Sequence, residues 1–395
     1  MSGAPPGEAW STGAVSRLGR ARTAVVVVFA TNGIIFGNWA VRIPAVKAEL
    51  GLSNASLGLA LLVPAVGALI SMPLTGALSA HVGSRAATAA TGLIFLLVPG
   101  LLGLAPSLPW LVPALFLFGL GFGGLDVAMN AQAVEVERAM GRPVMSSFHA
   151  AFSAGALIGS LTGALAATAG ITVAVHLATT GLVLLAICLP LIPWMLREPP
   201  AAEDRGPLFA LPTGRLVPLA AIALVVLLAE GAVADWSAVH LRQTLGAAPG
   251  TAGLAFTGFS LTMVLGRLAG DRVVAARGRA WTVRWSAVIG ATGGLLAALV
   301  PSIGAVVVGF AALGVGLACV VPLVFIAAAG DDPEPGPALA AVSTPGYVGF
   351  LIGPPAIGAL AEVVGLGPAL LLLPVLLAGV AALAGRTAPA PMIST

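Results

Sequence analysis

Residues 119–137, GLGFGGLDVAMNAQAVEVE, place a carboxylic acid inside an apolar helix. They continue the run WLVPALFLF at 110–118, and they carry Asp126 and Asn130 one helical turn apart. A charged side chain near the middle of a bilayer costs at least about 2.5–3.5 kcal/mol, so it is seldom kept without a function. Two questions follow: whether this run crosses a membrane, and what the acid does there.

The composition answers the first question. The chain has 395 residues, of which 58% are hydrophobic and only 8% charged, and its mean hydropathy is +1.05. Soluble domains contain about 25% charged residues, so this chain lacks the polar surface of a globule in water. The apolar runs are continuous, whereas a β-barrel would show short alternating segments. We therefore predict an all-α membrane protein with many spans.

Reading apolar runs between turn and charge signals predicts twelve spans in two halves of six. They cover 22–41, 55–79, 86–104, 110–134, 146–168, 172–195, 215–239, 251–270, 283–300, 303–329, 339–361 and 367–385. The polar insert REPPAAEDRGPLFALPTGR at 197–215 separates the halves. The predicted organisation is a cytoplasmic tail (1–21), a six-helix half (22–196), a cytoplasmic linker (197–214), a second six-helix half (215–386) and a cytoplasmic tail (387–395).

The basic residues predict the orientation. With both termini cytoplasmic, all 18 Lys and Arg lie on the inner side, Arg267 included, except Arg42, Lys47 and Arg242. This asymmetry agrees with the positive-inside rule. The acidic loop GDDPEPGPA at 330–338 would also be cytoplasmic, but acidic residues weigh little in that rule.

The two halves repeat short motifs. GALSAHVGSR (76–85) follows the second span and GRLAGDRVVAARGR (266–279) follows the eighth, and each is predicted to be a helix end that enters a short basic loop. GALIGSLTGAL (155–165) in span five is similar to GFLIGPPAIGAL (349–360) in span eleven. Two six-helix repeats joined by a linker are typical of secondary transporters whose solute site lies between the repeats.

On these motifs the whole chain resembles the major facilitator superfamily. The segment after span two resembles the family signature Gly-x-Leu-x-Asp-Arg-x-Gly-Arg-Arg, although Ala80 and His81 replace its Asp and first Arg. The resemblance implies an inner-loop latch that joins helix ends when the transporter faces outward. The implied latch residues are Gly76, Gly83 and Arg85 in the first half and Gly266, Asp271 and Arg272 in the second.

GLGFGGLDVAMN further resembles the fourth helix of the fucose-permease-like branch. The resemblance places Asp126 at an acid used for proton coupling and sugar contact, while Ala40 stands where that branch has a second acid. SSFHAAFSAGALIG (147–160), EGAVADWSAVHL (230–241) and GYVGFLIGPP (346–355) resemble bacterial permeases of this branch without an assigned substrate. The resemblance implies a monomeric protein of the bacterial inner membrane.

The predicted proton-coupling residues are Asp126 and Glu230. The glycines before Asp126 allow a neighbouring helix or a cavity to approach it. The acid can then be neutral in one state and ionised when water or Arg42 comes near, although a structural Asp bonded to its own helix is the alternative. Asp235 is interpreted as an outer-interface residue that could pair with His240 or Arg242.

Further polar and aromatic residues could line the cavity. The predicted solute-binding residues are Asn32, Asn38, Trp39, Asn130, His149, Phe152 and Trp236, with Met129 and Phe148 as further apolar walls. For each aromatic residue, packing against lipid or another helix is the alternative. His149 could relay protons or hydrogen-bond Asn130 or Glu137, or it could be purely structural.

These features together favour a secondary transporter, coupled to protons, that moves a small solute through the bilayer. A membrane enzyme or an ATP-driven pump is not supported, because the sequence contains no catalytic cluster, metal-ligand spacing or nucleotide-binding loop. We expect no cofactor, no metal and no nucleic-acid partner. The alternative to uptake of a sugar-like solute is proton-antiport efflux of drugs or amphipathic metabolites, although span five lacks the Gly-Pro motif of many such exporters.

Overall fold

The computed structural model describes residues 12–142, 144–197, 211–330 and 336–388. Within them it has twelve helices long and apolar enough to cross a membrane. They are α1 (Arg17–Glu49), α2 (Asn54–Val82), α3 (Ser84–Leu104), α4 (Leu108–Met140), α5 (Met145–Thr168), α6 (Val173–Trp194), α7 (Leu216–Leu245), α8 (Pro249–Arg277), α9 (Arg279–Leu299), α10 (Ile303–Ala329), α11 (Pro337–Val364) and α12 (Leu366–Thr387).

The twelve predicted spans are confirmed, and several helices extend beyond the predicted ends. The first α-helix begins at Thr12 and ends at Glu49, so part of the predicted tail is helical and Arg42 and Lys47 lie on a helix. Residues 198–210 of the predicted linker and 331–335 of the acidic loop lie outside the described residues. The predicted boundaries of the tails, halves and linker stay predictions.

Some spans are built from two or three helical pieces. The pieces are Ser84–Leu97 and Pro99–Leu104 in α3, Val173–Cys188 and the 3-10 helix Leu189–Trp194 in α6, Pro249–Ala252 and Leu254–Arg277 in α8, Ile303–Leu317 and Val320–Ala329 in α10, and Leu366–Ala369, Leu372–Leu383 and Ala384–Thr387 in α12. Prolines begin several of them, since a proline at the first helical position loses no intrahelical hydrogen bond.

The predicted end of span eight at residue 270, with a basic loop after it, is wrong, because α8 stays helical through Arg277. Gly83 and Gly278, with φ of 83° and 79°, end α2 and α8 in a conformation that favours glycine. Both helices are 29 residues long. Counted back from the glycine that ends each helix, the position of Gly76 in α2 corresponds to Asp271 in α8, and not to Gly266. Arg267 therefore lies deeper than its predicted place near the inner end of the span, at about 15 Å from the end of the helix at 1.5 Å per residue.

Equivalent helices pair in the two halves. In the first half α1 packs on α5, α2 on α4 and α3 on α6, and in the second α7 packs on α11, α8 on α10 and α9 on α12. Gly155 and Gly159 on α5 lie against the α1 carbonyls of Ala30 and Ile34, while Gly349 on α11 lies against α7. Because glycine has no side chain, the paired backbones come very close. The predicted similarity of spans five and eleven thus has a structural counterpart.

The halves meet at one end of the bundle, which we call the closed end and define by Glu49, Asn54, Thr168, Leu245 and Val364. There α2 packs on α11, and α5 packs on α8. The other end is called the open end.

Specific contacts between the halves start at the closed end and continue toward the middle. The backbone N–H of Ala55 donates to the Glu362 carboxylate over 3.1 Å. Deeper, the hydroxyl of Thr257 donates to that of Ser160, also over 3.1 Å. Phe256, the neighbour of Thr257 on α8, has its ring 6.1 Å from that of Phe36. The halves are thus sealed from the closed end down to the level of these rings.

Candidate solute site between the two halves

A cavity lies between the halves, below the aromatic seal. Helices α1 and α5 of the first half and α7 and α8 of the second supply its wall. The lining residues are Phe36, Phe152, Ser153, Ala156, Glu230, Phe256, Phe259, Ser260, Met263 and Arg267. The cavity is thus mainly aromatic and apolar, with one acidic and one basic side chain.

These two charged side chains form an ion pair that also reaches the other half. A guanidinium nitrogen of Arg267 lies 4.0 Å from a carboxylate oxygen of Glu230, and the side chains are 30% and 23% exposed. Arg267 also donates a hydrogen bond to the hydroxyl of Ser153 on α5. One guanidinium therefore connects α7, α8 and α5, across the boundary between the halves.

Glu230 was predicted from the sequence, but Arg267 was not predicted as a cavity residue. Arg267 was expected on the inner side, at the end of span eight, because basic residues follow it at 272, 277 and 279. α2 and α8 have the same length, and each ends at a glycine, Gly83 or Gly278. This similarity between the halves is the signal that could have located Arg267. That repeat places Arg267 well inside a span.

The charged and polar side chains share one depth in the bundle. At 1.5 Å per residue, Asp126, Glu230, Arg267, His149 and Tyr347 all lie about 22–28 Å from the closed end of their helices. His149 and Tyr347 are exposed at this depth, as expected for side chains that face an open cavity. Among the described residues, the bundle is therefore sealed at the closed end and open from this layer to the other end.

Asp126 and Asn130 are brought together as their spacing predicts. The amide nitrogen of Asn130 donates to the Asp126 carbonyl over 2.8 Å and to its carboxylate over 3.2 Å. Both side chains are partly exposed, and the Tyr347 hydroxyl of the second half lies within electrostatic reach of Asp126. The preceding glycines, Gly119 and Gly121, pack α4 closely against α2 and α3. Asp126 therefore sits on a tightly held helix beside the opening.

His149 lies within electrostatic reach of Arg267 and contacts Phe29 edge-on at 5.4 Å. Its two predicted partners are engaged elsewhere: Asn130 bonds to Asp126, and Glu137 accepts the backbone N–H groups of Val144 and Met145, each over 2.7 Å. Glu137 thereby holds the start of α5. His149 is left facing the layer of charged groups.

Of the predicted aromatic wall, Phe152 lines the cavity and stands 6.1 Å from Phe36. Trp236 does not line it, because its side chain is fully buried and packs against Gly358. Trp39 is also buried, with its ring 6.0 Å from Phe118 in the first half.

The two predicted asparagines of α1 are buried outside the cavity. Asn32 donates to the sulfur of Met129 over 3.6 Å. Asn38 donates to the Ile34 carbonyl over 2.8 Å and accepts a hydrogen bond from Thr162. Both asparagines hold α1 within the first half in this conformation, and do not reach the solute cavity.

The predicted partners of Asp235 are wrong. His240 bonds through its ring to the Ala297 carbonyl at 3.1 Å and to Thr244, and Arg242 donates to the Ala247 carbonyl over 2.7 Å. Among the described residues, Asp235 has no hydrogen bond or ion pair. Asp235 therefore lies apart from the Glu230–Arg267 pair.

The implied latch residues lie toward the open end. Gly76 is buried in α2, Gly83 ends that helix and Arg85 is half-buried in α3. Asp271 and Arg272 are exposed in the last turns of α8. In this conformation the two halves are separated at the open end, so the latch stays a prediction.

A prediction follows from the contact between Glu362 and the start of α2. The carboxylate meets an exposed helix N-terminus, where an anion contributes about 0.3–1 kcal/mol. Replacing Glu362 by Ala should therefore increase the population with a separated closed end by about two- to fivefold. The distance between spin labels at Ala48→Cys and Val363→Cys, in a background without Cys188 and Cys319, measures this population. Glu49→Ala, an exposed acid of the closed end on α1, is the control, and equal distance distributions in all variants would contradict the prediction.

Comparison with known proteins identifies the family. The model of the Major Facilitator Superfamily matches residues 24–236 and 219–393, which together cover both halves. The chain belongs to the major facilitator superfamily. It is 40% identical to an uncharacterized transporter of Sinorhizobium fredii over 86% of this chain and 90% of that protein. It is also 37% identical to an uncharacterized MFS-type transporter of Yersinia pestis, over 90% of this chain and 93% of the relative.

Solved structures of transporters have the same fold. A bacterial homolog of the human lysosomal transporter Spinster, in an inward-facing and occupied conformation, superposes with a TM-score of 0.72 at 15% identity, over 93% of this chain and 98% of the other. The nucleoside transporter NupG gives 0.72 at 12% identity, over 93% and 98%. The chain is thus a multi-pass membrane transporter of this superfamily. Among the described residues, no group of three or more His, Cys, Asp or Glu could hold a metal ion.

Proposed function

We propose that this protein is a proton-coupled secondary transporter that moves a small solute across the membrane by alternating access. The observation that carries the proposal is the ion pair of Glu230 and Arg267 beside the cavity, joined to Ser153 of the other half. A titratable group, a solute cavity and a contact between the halves meet at this one point. Coupling requires that these three elements respond to one another.

Protonation of Glu230 would change the contact between the halves. The ionised carboxylate attracts Arg267 strongly, because the site is only partly hydrated and charges there are weakly screened. A proton on Glu230 removes this attraction and leaves the guanidinium to its other partners, one of which is Ser153. The relative stability of the open and closed arrangements would then depend on the proton.

Asp126 is proposed as the second acid of the coupling site. It lies at the same depth as Glu230, on the other half, with Asn130 and Tyr347 beside it. Its hydrogen bond to Asn130 also fits the structural alternative, in which Asp126 only stabilises α4. Replacing Asp126 distinguishes the two roles.

The positive-inside rule makes the open end cytoplasmic, and the structure is then an inward-facing state. We propose a location in the bacterial inner membrane with both termini cytoplasmic and a monomer as the working unit. The closed-end contacts, including those of Glu362 and Thr257, would separate in the outward-facing state. Efflux of amphipathic solutes is kept as a second candidate, because Phe36, Phe256 and Phe259 make the cavity wall largely aromatic.

Solute-induced proton movement in proteoliposomes tests the proposal. We expect at least one solute among sugars, small carboxylates and cationic amphiphiles to move protons with the wild type. With Asp126→Asn, the signal should fall by at least about tenfold if Asp126 carries a proton, since the amide cannot ionise.

The result of this assay is decisive in each direction. An undiminished signal in Asp126→Asn would make Asp126 structural and leave coupling to Glu230. Solute movement by the wild type without any proton movement would contradict proton coupling. Glu135→Gln, which removes a partly exposed acid on the same helix, serves as the control for Asp126→Asn.

A further inference from the structure

We propose that the solute carries a carboxylate on a largely apolar body, and that this carboxylate binds Arg267 in place of Glu230. The inference rests on the proposed transport function and specifies its solute class. It follows from the unused donors of Arg267, from the cavity wall and from the charges around the pair.

Arg267 has more hydrogen-bond donors than its partners use. A guanidinium carries five N–H groups in a planar fork. In the described residues, one nitrogen donates to Ser153 and another lies 4.0 Å from the Glu230 carboxylate. A full charge-assisted hydrogen bond between these groups would measure about 2.7–2.9 Å. Arg267 therefore presents donors toward the cavity, with 30% of its side chain exposed.

The fork of a guanidinium matches a carboxylate in shape as well as in charge, because two parallel N–H groups can meet both oxygens. The remaining wall offers little to a polar solute. Phe36, Phe152, Phe256 and Phe259 supply most of it, together with Met263. The body of the solute should accordingly be apolar or aromatic.

The charge balance favours an anion over a cation. A cation at Glu230 would lie beside the positive charge of Arg267. An anion at Arg267 would instead replace the charge that Glu230 loses on protonation, so the proton and the anion would enter the site together. Two other titratable groups, His149 and Cys319, lie within electrostatic reach of Arg267. Asp271 lies within electrostatic reach of Cys319, and Asp126 and Tyr347 lie near each other at the same depth on α4 and α11.

Binding to the purified full-length protein tests this inference without any proton gradient. The probes are 3-phenylpropionate, 3-phenylpropionamide and 3-phenylpropylamine, which share one body and differ in charge. Calorimetry at about pH 5.5 and about pH 8 keeps the carboxylate ionised at both values. We expect the carboxylate to bind more tightly than the amide or the amine, and more tightly at the lower pH, where Glu230 is more often protonated.

Variants assign the effect to the two side chains. Arg267→Gln should weaken carboxylate binding roughly tenfold to a hundredfold, the usual effect of losing a charge-assisted hydrogen bond. Arg267→Lys, which keeps the charge but loses the fork, should lie between Gln and wild type. Glu230→Gln should bind the carboxylate equally at both pH values. Arg277→Gln, which replaces an exposed arginine of the same helix, is the matched control, and thermal unfolding verifies that each variant is folded.

Several results would overturn the inference. They are equal or tighter binding of the amide or the amine, unchanged carboxylate binding in Arg267→Gln, equal carboxylate binding by the wild type at both pH values, and no millimolar binding of any probe. Arg267-dependent carboxylate binding without proton movement in proteoliposomes would refute proton coupling while it supports the solute class. If only uncharged solutes moved together with protons, the result would refute the carboxylate solute class while it supports proton coupling.

Discussion

Replacing Glu230 by Gln should abolish proton-driven solute accumulation while exchange of the same solute across the membrane continues. The amide resembles the protonated acid in shape but cannot release a proton, so the cycle loses the step that links the proton gradient to the solute. With one proton per solute, a gradient of one pH unit supports about tenfold accumulation, so we expect the variant to lose about tenfold and to reach only equal concentrations on the two sides. Accumulation under an imposed pH gradient and exchange without a gradient measure the two activities.

Glu135→Gln is a suitable control for Glu230→Gln. Glu135 also pairs with an arginine, Arg138, at 2.7 Å, but the Arg138 side chain is 73% exposed. Exposed ion pairs contribute only about 0–1 kcal/mol, so this variant should transport normally. If Glu230→Gln kept full accumulation, Glu230 would have no coupling role, and Asp126 would be the remaining acid at this depth. If exchange were lost as well, the ion pair would be needed for solute binding or for folding.

Replacing Gly155 by Leu should prevent the first half from folding. A Cβ atom at Gly155 would lie 2.9 and 3.0 Å from the backbone C and Cα of Ala30, and its nearest contact, the Ala30 carbonyl oxygen, would be closer still. The atoms in the way are backbone, so α1 and α5 must move apart. Since overpacking a tight core costs about 1–3 kcal/mol and occasionally more, we expect a loss at or above the top of that range.

The yield of monodisperse protein and its thermal unfolding temperature measure this effect. Gly379→Leu on α12 is the control, because a Cβ atom there has nothing within 4 Å. The control should unfold at the wild-type temperature, whereas Gly155→Leu should give little or no monodisperse protein. Equal yields and unfolding temperatures for the two variants would show that the close approach of α1 and α5 contributes little to stability.

The candidate site was only partly predictable. Asp126 and Glu230 could be predicted from the sequence because ionised side chains within an apolar span are costly in lipid. This argument needs no structure. Phe152 could not be distinguished from Trp236 in the same way, since an aromatic side chain is favourable in a cavity wall and in a helix contact alike. The structure places Phe152 in the cavity and Trp236 in the core.

Arg267 was missed for a different reason. Its neighbours at 272, 277 and 279 make the local composition typical of a cytoplasmic loop, although α8 continues through Arg277. Helices of membrane proteins often extend past the apolar core, because their backbone hydrogen bonds are satisfied internally at any depth. Local hydropathy therefore identifies a span more reliably than its end.

The sequence alone determined the number of spans, their division into two similar halves and the presence of acids within the membrane. These properties depend on the composition and order of residues along each helix. They can be predicted from the local sequence, because exposing polar groups to lipid is costly whichever helices lie nearby. Only the tertiary structure decided that Arg267 pairs with Glu230, that Ser153 of the other half joins them, and that Asn38 and Trp39 pack away from the cavity. Such contacts depend on how helices distant in sequence rotate and approach one another, and the glycines that permit these approaches do not indicate which helix will come near.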